Sequence, residues 1–194
     1  MNILVISQYY YPEPFRIHEI CEELVNRGHN VTALTGVPNY PDGDIYSGYV
    51  NRNSEEEING VKIIRCASRP RHKGYINLFL NYLSFYYAAN RRLKDVRGNF
   101  DIVYAYQLSP ITSSMPAVKY ARKKKIPLLM YCLDLWPESI VGQISENNYI
   151  FKMVRRLSEK IYKSCDRILV TSPSFTSYLE RVCGVKTTVM RYVP

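Results

Sequence analysis

What the chain lacks narrows it first. Its 194 residues contain no G-x-G-x-x-G after an apolar strand and no G-x-x-x-x-G-K-[ST], so the usual backbone cradle for a dinucleotide or for ATP phosphates is missing. Histidine is scarce, three in all, and the five cysteines (Cys21, Cys66, Cys132, Cys165, Cys183) form no C-x-x-C pair. Without paired spacing or a histidine cluster no metal is expected, and scattered thiols beside apolar runs fit a reducing compartment. No apolar run approaches the ~20 residues needed to span a bilayer, and no charged start leads into an apolar run with a small-residue cleavage site. A cytosolic chain is the expectation. At 46% hydrophobic and 22% charged the composition is that of a globular domain, and at ~150 residues per domain one domain is favoured.

Charge is split along the chain. Residues 1–64 hold 4 basic and 9 acidic side chains, residues 65–165 hold 18 and 6, and residues 166–194 hold 4 and 2, for a total of +9. The middle carries the whole positive excess. Such a face attracts phosphate-rich partners such as nucleic acid, anionic lipid or sugar phosphates, unless it is merely a solvated surface.

Apolar runs without polar alternation predict strands covered on both faces at Met1–Ser7, Val31–Thr35, Val61–Cys66, Asp101–Tyr106, Pro127–Leu133, Arg167–Thr171 and Thr187–Tyr192. Helical spacing predicts helices over Phe15–Arg27, stopped by Gly28, and over Tyr75–Lys94, Ser109–Lys124, Tyr149–Ser164 and Ser174–Val182. The polar stretch Tyr46–Glu57 reads as a small excursion. This alternation predicts an α/β, Rossmann-like, doubly wound and mostly parallel seven-stranded sheet. The chain ends at Val193-Pro194 after a strand with no closing helix, which reads as a cut at a hinge. In such a sheet ligands sit beyond the strands' carboxyl ends, so the candidate loops are Tyr9–Arg16, Gly36–Asp44, Gln107–Pro110 and Asp134–Glu138.

The Tyr9-Tyr10-Tyr11-Pro12-Glu13-Pro14 loop opening the first helix, the R-G-H-x-V turn (Arg27, Gly28, His29, Val31), the PNYPDG segment (38–43) and D-L-W-P-E-S (134–139) together resemble the N-terminal domain of family 4 glycosyltransferases of the GT-B fold, especially the bacterial cell-surface polysaccharide branch. The resemblance covers essentially the whole chain. It implies residues 1–194 as one acceptor-binding domain whose C-terminal nucleotide-sugar domain is absent from this chain. It also implies transfer with retention of configuration, no metal and no cofactor beyond the nucleotide-sugar donor, and a fragment that is inactive alone. Where many relatives carry a Gly-Gly pair in the first loop, this chain has Pro12-Glu13-Pro14, which withholds backbone donors from a donor diphosphate.

On that reading the acceptor is a lipid-diphosphate-linked saccharide in capsule- or O-antigen-type synthesis, met at the inner face of the cell membrane. Asp134, at the tip of a strand, is the candidate catalytic residue, placed to accept a hydrogen bond from an acceptor hydroxyl; capping of its own turn beside Trp136 is the alternative. Glu138 is a second carboxylate. Arg16, beside the N–H groups that open the first helix, and His18 are candidate anion ligands, or parts of a stiffened helix entry. Asn39 and Tyr40 are candidate sugar contacts or simple turn formers, and Glu13 and Gln107 complete the substrate-binding set. The helix from Tyr75 to Arg92 has aromatics at Tyr75, Phe79 and Tyr82 and cations at both ends, Arg71 and Lys73 before it and Arg91 and Arg92 closing it. Those seven residues are the expected contacts with an anionic membrane surface, against the alternative of a helix packed in the core. A nucleotide-sugar epimerase of the same architecture, a basic nucleic-acid module and a non-catalytic carbohydrate-binding domain are the rivals. No nucleic-acid signature such as an RNP-like run or helix-turn-helix is present.

Overall fold

The computed structural model describes residues 1–140 and 145–193. In chain order the elements are β1 (Asn2–Ile6), α1 (Ile17–Asn26), β2 (Asn30–Gly36), β3 (Ser54–Ile58), β4 (Val61–Cys66), α2 (Tyr75–Arg92), β5 (Ile102–Gln107), α3 (Met115–Lys124), β6 (Leu128–Cys132), α4 (Tyr149–Tyr162), β7 (Arg167–Val170), α5 (Pro173–Arg181) and β8 (Met190–Tyr192). They build one sheet in the order β3-β4-β2-β1-β5-β6-β7-β8, parallel except for the antiparallel β3–β4 pair. Strand order reverses between β1 and β5, so their carboxyl ends open a crevice.

Why β1 is apolar throughout follows from its two faces. Leu4 and Ile6 join the core under α2, α3, α4 and α5, while Ile3 and Val5 join a second core closed by Ile17 and Cys21 of α1. Successive strand residues point to opposite sides, and here both sides are buried. Gly28, at φ +81°, ends α1, with its N–H on the Val25 carbonyl (2.8 Å) and that of His29 on Leu24 (3.1 Å). A left-handed residue there costs an ordinary side chain strain and glycine little.

The expected fold class is found, with three corrections to its parts. The sheet has eight strands, not seven: Ser54–Ile58, expected as an excursion, is the edge strand β3. Its Glu55 and Glu56 obscured it in sequence, yet they meet Lys62, Arg92 and Arg65. The helix expected from Ser109 starts later, because Pro110 is extended and a 3-10 turn over Ile111–Ser114 precedes α3. The last strand shrinks to Met190–Tyr192 behind a 3-10 turn at Thr187–Val189, and the expected end of the chain at Pro194 lies outside the described residues.

Arg65 on β4 is 1% exposed. Its guanidinium donates to Glu56 Oε1 (2.5 Å), to the Tyr11 carbonyl (2.7 Å) and to the Gly36 carbonyl (3.3 Å), and it lies 4.7 Å from the centre of the Tyr49 ring. The cation is fully compensated, and it ties the loops after β1 and β2 to the sheet edge. Arg65→Met leaves Glu56 and two carbonyls without their donor, and is expected to lower unfolding free energy by roughly 2–3 kcal/mol in urea titration. A loss under about 0.5 kcal/mol would remove Arg65 from this role.

Candidate functional site

The rim is assembled from the loops after β1, β2, β5 and β6, each of which contains one cis X–Pro peptide. Its organising group is Glu13, 1% exposed. One carboxylate oxygen accepts the N–H groups of Asn39 and Tyr40, both at 2.9 Å, and the other accepts that of Tyr10 at 3.0 Å. Burial raises this carboxyl above the usual carboxylate range, although the three N–H donors pull the other way.

Asn39 carries the connection onward. Its amide donates to the Val37 carbonyl (2.7 Å) and its side-chain oxygen accepts the N–H of Arg71 (2.7 Å). Gly43 lets the two segments meet: at φ +96° it lies so close that a Cβ there would overlap the Arg71 carbonyl. Arg71 is thereby held at the mouth of the rim. Its Nη1 reaches the hydroxyls of Tyr9 and Tyr82, each at 3.4 Å, and its guanidinium sits 5.4 Å from the centre of the Tyr40 ring. Tyr40 in turn meets Tyr9 and Phe15 edge-on. Burial, with the Arg71 bond opposing it, pushes the Tyr9 hydroxyl up to about 12, so it stays protonated. Among the described residues Arg71 is in no ion pair: its partners are tyrosines.

Arg71 stands at one end of a groove of about 600 Å³. Tyr75, Phe79, Tyr82 and Tyr86 of α2 line one side, Ser109, Pro110 and Thr112 the loop after β5, Trp136 and Ile140 the loop after β6, and Val154 and Leu157 of α4 another. The lining is mostly apolar. Both helices also carry exposed apolar residues: Tyr75 (75%), Ile76 (77%) and Phe79 (63%) on α2, and Tyr149, Ile150 and Met153 on α4. No acidic residue lies between Glu57 and Asp95, so the charges beside the α2 stripe are cationic.

The other expected site residues fall as follows. Asp134 accepts from the Ser109 hydroxyl and from Trp136 Nε1 (3.2 Å) at Oδ2, and Ser139 Oγ lies 2.9 Å from Oδ1. Its carboxylate therefore braces the two loops that carry groove residues Ser109 and Trp136. Glu138 pairs with Arg155 at 3.1 Å. Gln107 is fully buried, its amide on the Leu108 carbonyl at 2.9 Å and its Oε1 without a partner. Arg16 is exposed and pairs with Glu19 at 3.5 Å. His18 Nδ1 lies 2.8 Å from the Phe15 carbonyl, with the ring edge-on to Tyr11. Lys73 and Arg91 are exposed, while Arg92 is drawn to Glu55 at 2.5 Å. Glu13, Asn39 and Arg71 thus come together, as do Asp134, Tyr75, Phe79 and Tyr82 around the groove, whereas Arg16 and Arg92 point to other partners.

Sequence reasoning missed Arg65 and the apolar start of α4. An arginine inside an apolar strand opposite an acidic stretch was the only signal for the first, and none marked the second as a neighbour of α2. Among the described residues no group of three or more His, Cys, Asp or Glu gathers as metal ligands, and no helix is long and apolar enough to cross a membrane.

A family model described as Glycosyltransferase Family 4 matches residues 15–194. No curated protein matches the chain significantly. Among similar solved structures, one described as trehalose-6-phosphate from E. coli bound with UDP-2-fluoro glucose is 9% identical with a TM-score of 0.54, over 90% of this chain and 40% of that one. A glycosyltransferase from Rickettsia africae is 13% identical with a TM-score of 0.51, over 99% and 42%. Arabidopsis thaliana UGT89C1 complexed with UDP is 14% identical with a TM-score of 0.56, over 100% and 48%. At such identities the likeness is one of fold, and the chain spans less than half of each solved chain.

Glu13→Gln keeps one acceptor oxygen but turns an amide N–H₂ toward a backbone donor; it is expected to cost roughly 1–3 kcal/mol of stability. The pH dependence has a defined sign. A folded-state carboxyl raised above its unfolded value contributes stability at pH below the unfolded value, and that contribution fades as pH climbs through the raised one. Urea titrations across pH 3 to 8 should show this fading in wild type and not in Glu13→Gln; identical profiles would contradict it.

Proposed function

The chain belongs to glycosyltransferase family 4, and on that premise we propose that it is the acceptor-receiving half of a glycosyltransferase whose other half holds a nucleotide sugar. The single observation that carries this is an apolar groove with an unpaired, half-buried guanidinium at its mouth. That combination suits an amphiphile: a phosphate on Arg71, with Tyr9 and Tyr82 beside it, and a hydrocarbon chain along Tyr75, Phe79 and Trp136. The acceptor is accordingly a saccharide linked to a lipid through phosphate. The uridine nucleotides in the E. coli and Arabidopsis structures support a UDP-sugar donor.

The exposed stripe on α2 and the cations Lys73 and Arg91 support peripheral seating on an anionic membrane surface at its cytoplasmic side. The PNYPDG and D-L-W-P-E-S segments support the cell-surface polysaccharide branch, and the family premise supports transfer with retention. Asp134 serves this reaction by positioning: with Oδ2 engaged by Ser109 and Trp136 and Oδ1 by Ser139, it sets the loops that face the acceptor sugar and leaves proton transfer to other groups. Glu13 and Asn39 likewise act by holding Arg71. Tyr40, His18, Gln107 and Glu138 surround the sugar end or support its loops, and the chain alone is inactive without its donor-holding half. Neither the epimerase nor the nucleic-acid reading is favoured by the family match.

Trp136 is the one tryptophan of the chain, so its emission reports on the groove. Titration with a detergent-dispersed prenyl-diphosphate-linked sugar is expected to shift that emission, and Arg71→Gln to weaken the response about tenfold, the effect of losing one charge-assisted bond. In the complete enzyme the same acceptor should accept sugar from a nucleotide donor. Hydrolysis or epimerisation of the donor without transfer, or an Arg71→Gln titration matching wild type, would overturn the reading.

A further inference from the structure

The helices α2 and α3 run antiparallel to the strands they follow, so their last turns lie at the end of the sheet remote from the rim. There they enclose a second concavity of about 350 Å³. Four lysines line it, Lys94, Lys119, Lys123 and Lys124, and among the described residues no carboxylate does. Among the described residues none of the four is in an ion pair. Lys119 is held by the Tyr86 hydroxyl and lies 4.6 Å from that ring's centre, while Lys124 lies 5.8 Å from the centre of the Tyr120 ring.

Tyr120 is the second observation. It is 5% exposed, it lines the concavity, and its buried hydroxyl has no hydrogen-bond partner. Cations at the end of a helix complement the partial negative charge of its last carbonyls. That accounts for Lys123 and Lys124 at the end of α3 and for Lys94 just past the end of α2, but not for Lys119 or for the convergence of all four on the same hollow. The four lysine side chains are exposed, and like charges gathered around one concavity repel. An oxyanion seated among them removes the repulsion and gives the Tyr120 hydroxyl an acceptor.

We propose that this concavity is a binding site for a phosphate-bearing anion. The chemistry has two sources, the headgroup of an anionic phospholipid and a phosphate ion or ester in solution. The hollow lies about 27 Å along α2 from the start of the helix, at 1.5 Å per residue over its 18 residues. Tyr75, Phe79, Leu83 and Tyr87, all exposed, mark the way between. A headgroup bound in the hollow therefore lays α2 lengthwise on the membrane. The hollow shares no lining residue with the acceptor groove, so the anion site stands independently of the transferase reading.

Two arms test it. In one, the chain is titrated with inorganic phosphate and pyrophosphate and followed by calorimetry. In the other, it is floated with vesicles of phosphatidylcholine with and without phosphatidylglycerol. Binding is expected in at least one arm, and the arm that responds identifies the source. The triple variant K94Q/K123Q/K124Q should weaken that binding at least tenfold, and Y120F, which keeps every charge, by a few-fold. The charge-matched control R181Q/K186Q/R191Q, built from exposed cations elsewhere, should bind as wild type does. Unchanged thermal unfolding of the variants separates lost binding from lost fold. No binding in either arm, or equal loss in the two triple variants, would overturn the proposal.

Discussion

One buried carboxylate sets the geometry of the rim. Among the described residues Glu13 is in no ion pair; its charge is met by three backbone N–H groups from two loops, with Arg65 adding a weaker attraction, and unmet those groups would be costly at this depth. The bond to Asn39 fixes the residue that holds the Arg71 backbone, and Gly43 allows the approach. The position of Arg71 is thus settled two hydrogen bonds away from it. Without Glu13 the loop after β2 has no reason to hold Arg71 at the mouth of the groove.

The two half-hidden or hidden arginines show how the same side chain takes opposite roles. Arg65 is spent within the fold, on Glu56 and two carbonyls. Arg71 is stabilised by tyrosine hydroxyls and a ring face, contacts that orient a cation without neutralising it. A cation prepared in this way beside apolar walls is suited to an anionic head with a hydrocarbon tail. The Asp134 network does the corresponding work on the other wall, since it joins Ser109 to Trp136 across loops from β5 and β6.

The fold was largely legible because β1, β2, β4, β5 and β6 pack apolar side chains on both faces, and such a parallel strand leaves a mostly apolar run. β3 was not, because an edge strand made of glutamates owes its place to Lys62 and Arg65 across the ladder and to Arg92 at the end of α2 rather than to its own pattern. At the site, residue types were readable and their partners were not. Glu13, Asn39 and Asp134 stood out as polar residues in loops that follow strands, but their bonds span 26, 32 and 25 positions. The aromatic period of α2 was visible, whereas its opposition to α4 and Trp136 arises only from the crossover connections. Arg71, read from sequence as a headgroup contact, stands at the groove mouth for the same reason.

The account rests on Arg71 and the α2–Trp136 groove receiving the two ends of one phosphorylated lipid. Photo-crosslinking with a prenyl diphosphate bearing a diazirine near the tail terminus, followed by peptide mapping, addresses this most directly. The account predicts label on the first half of α2, on residues 109–115 and on residues 149–157, displaced by unlabelled lipid. Label confined to other surfaces, or label in the groove that survives an excess of competitor, would contradict it.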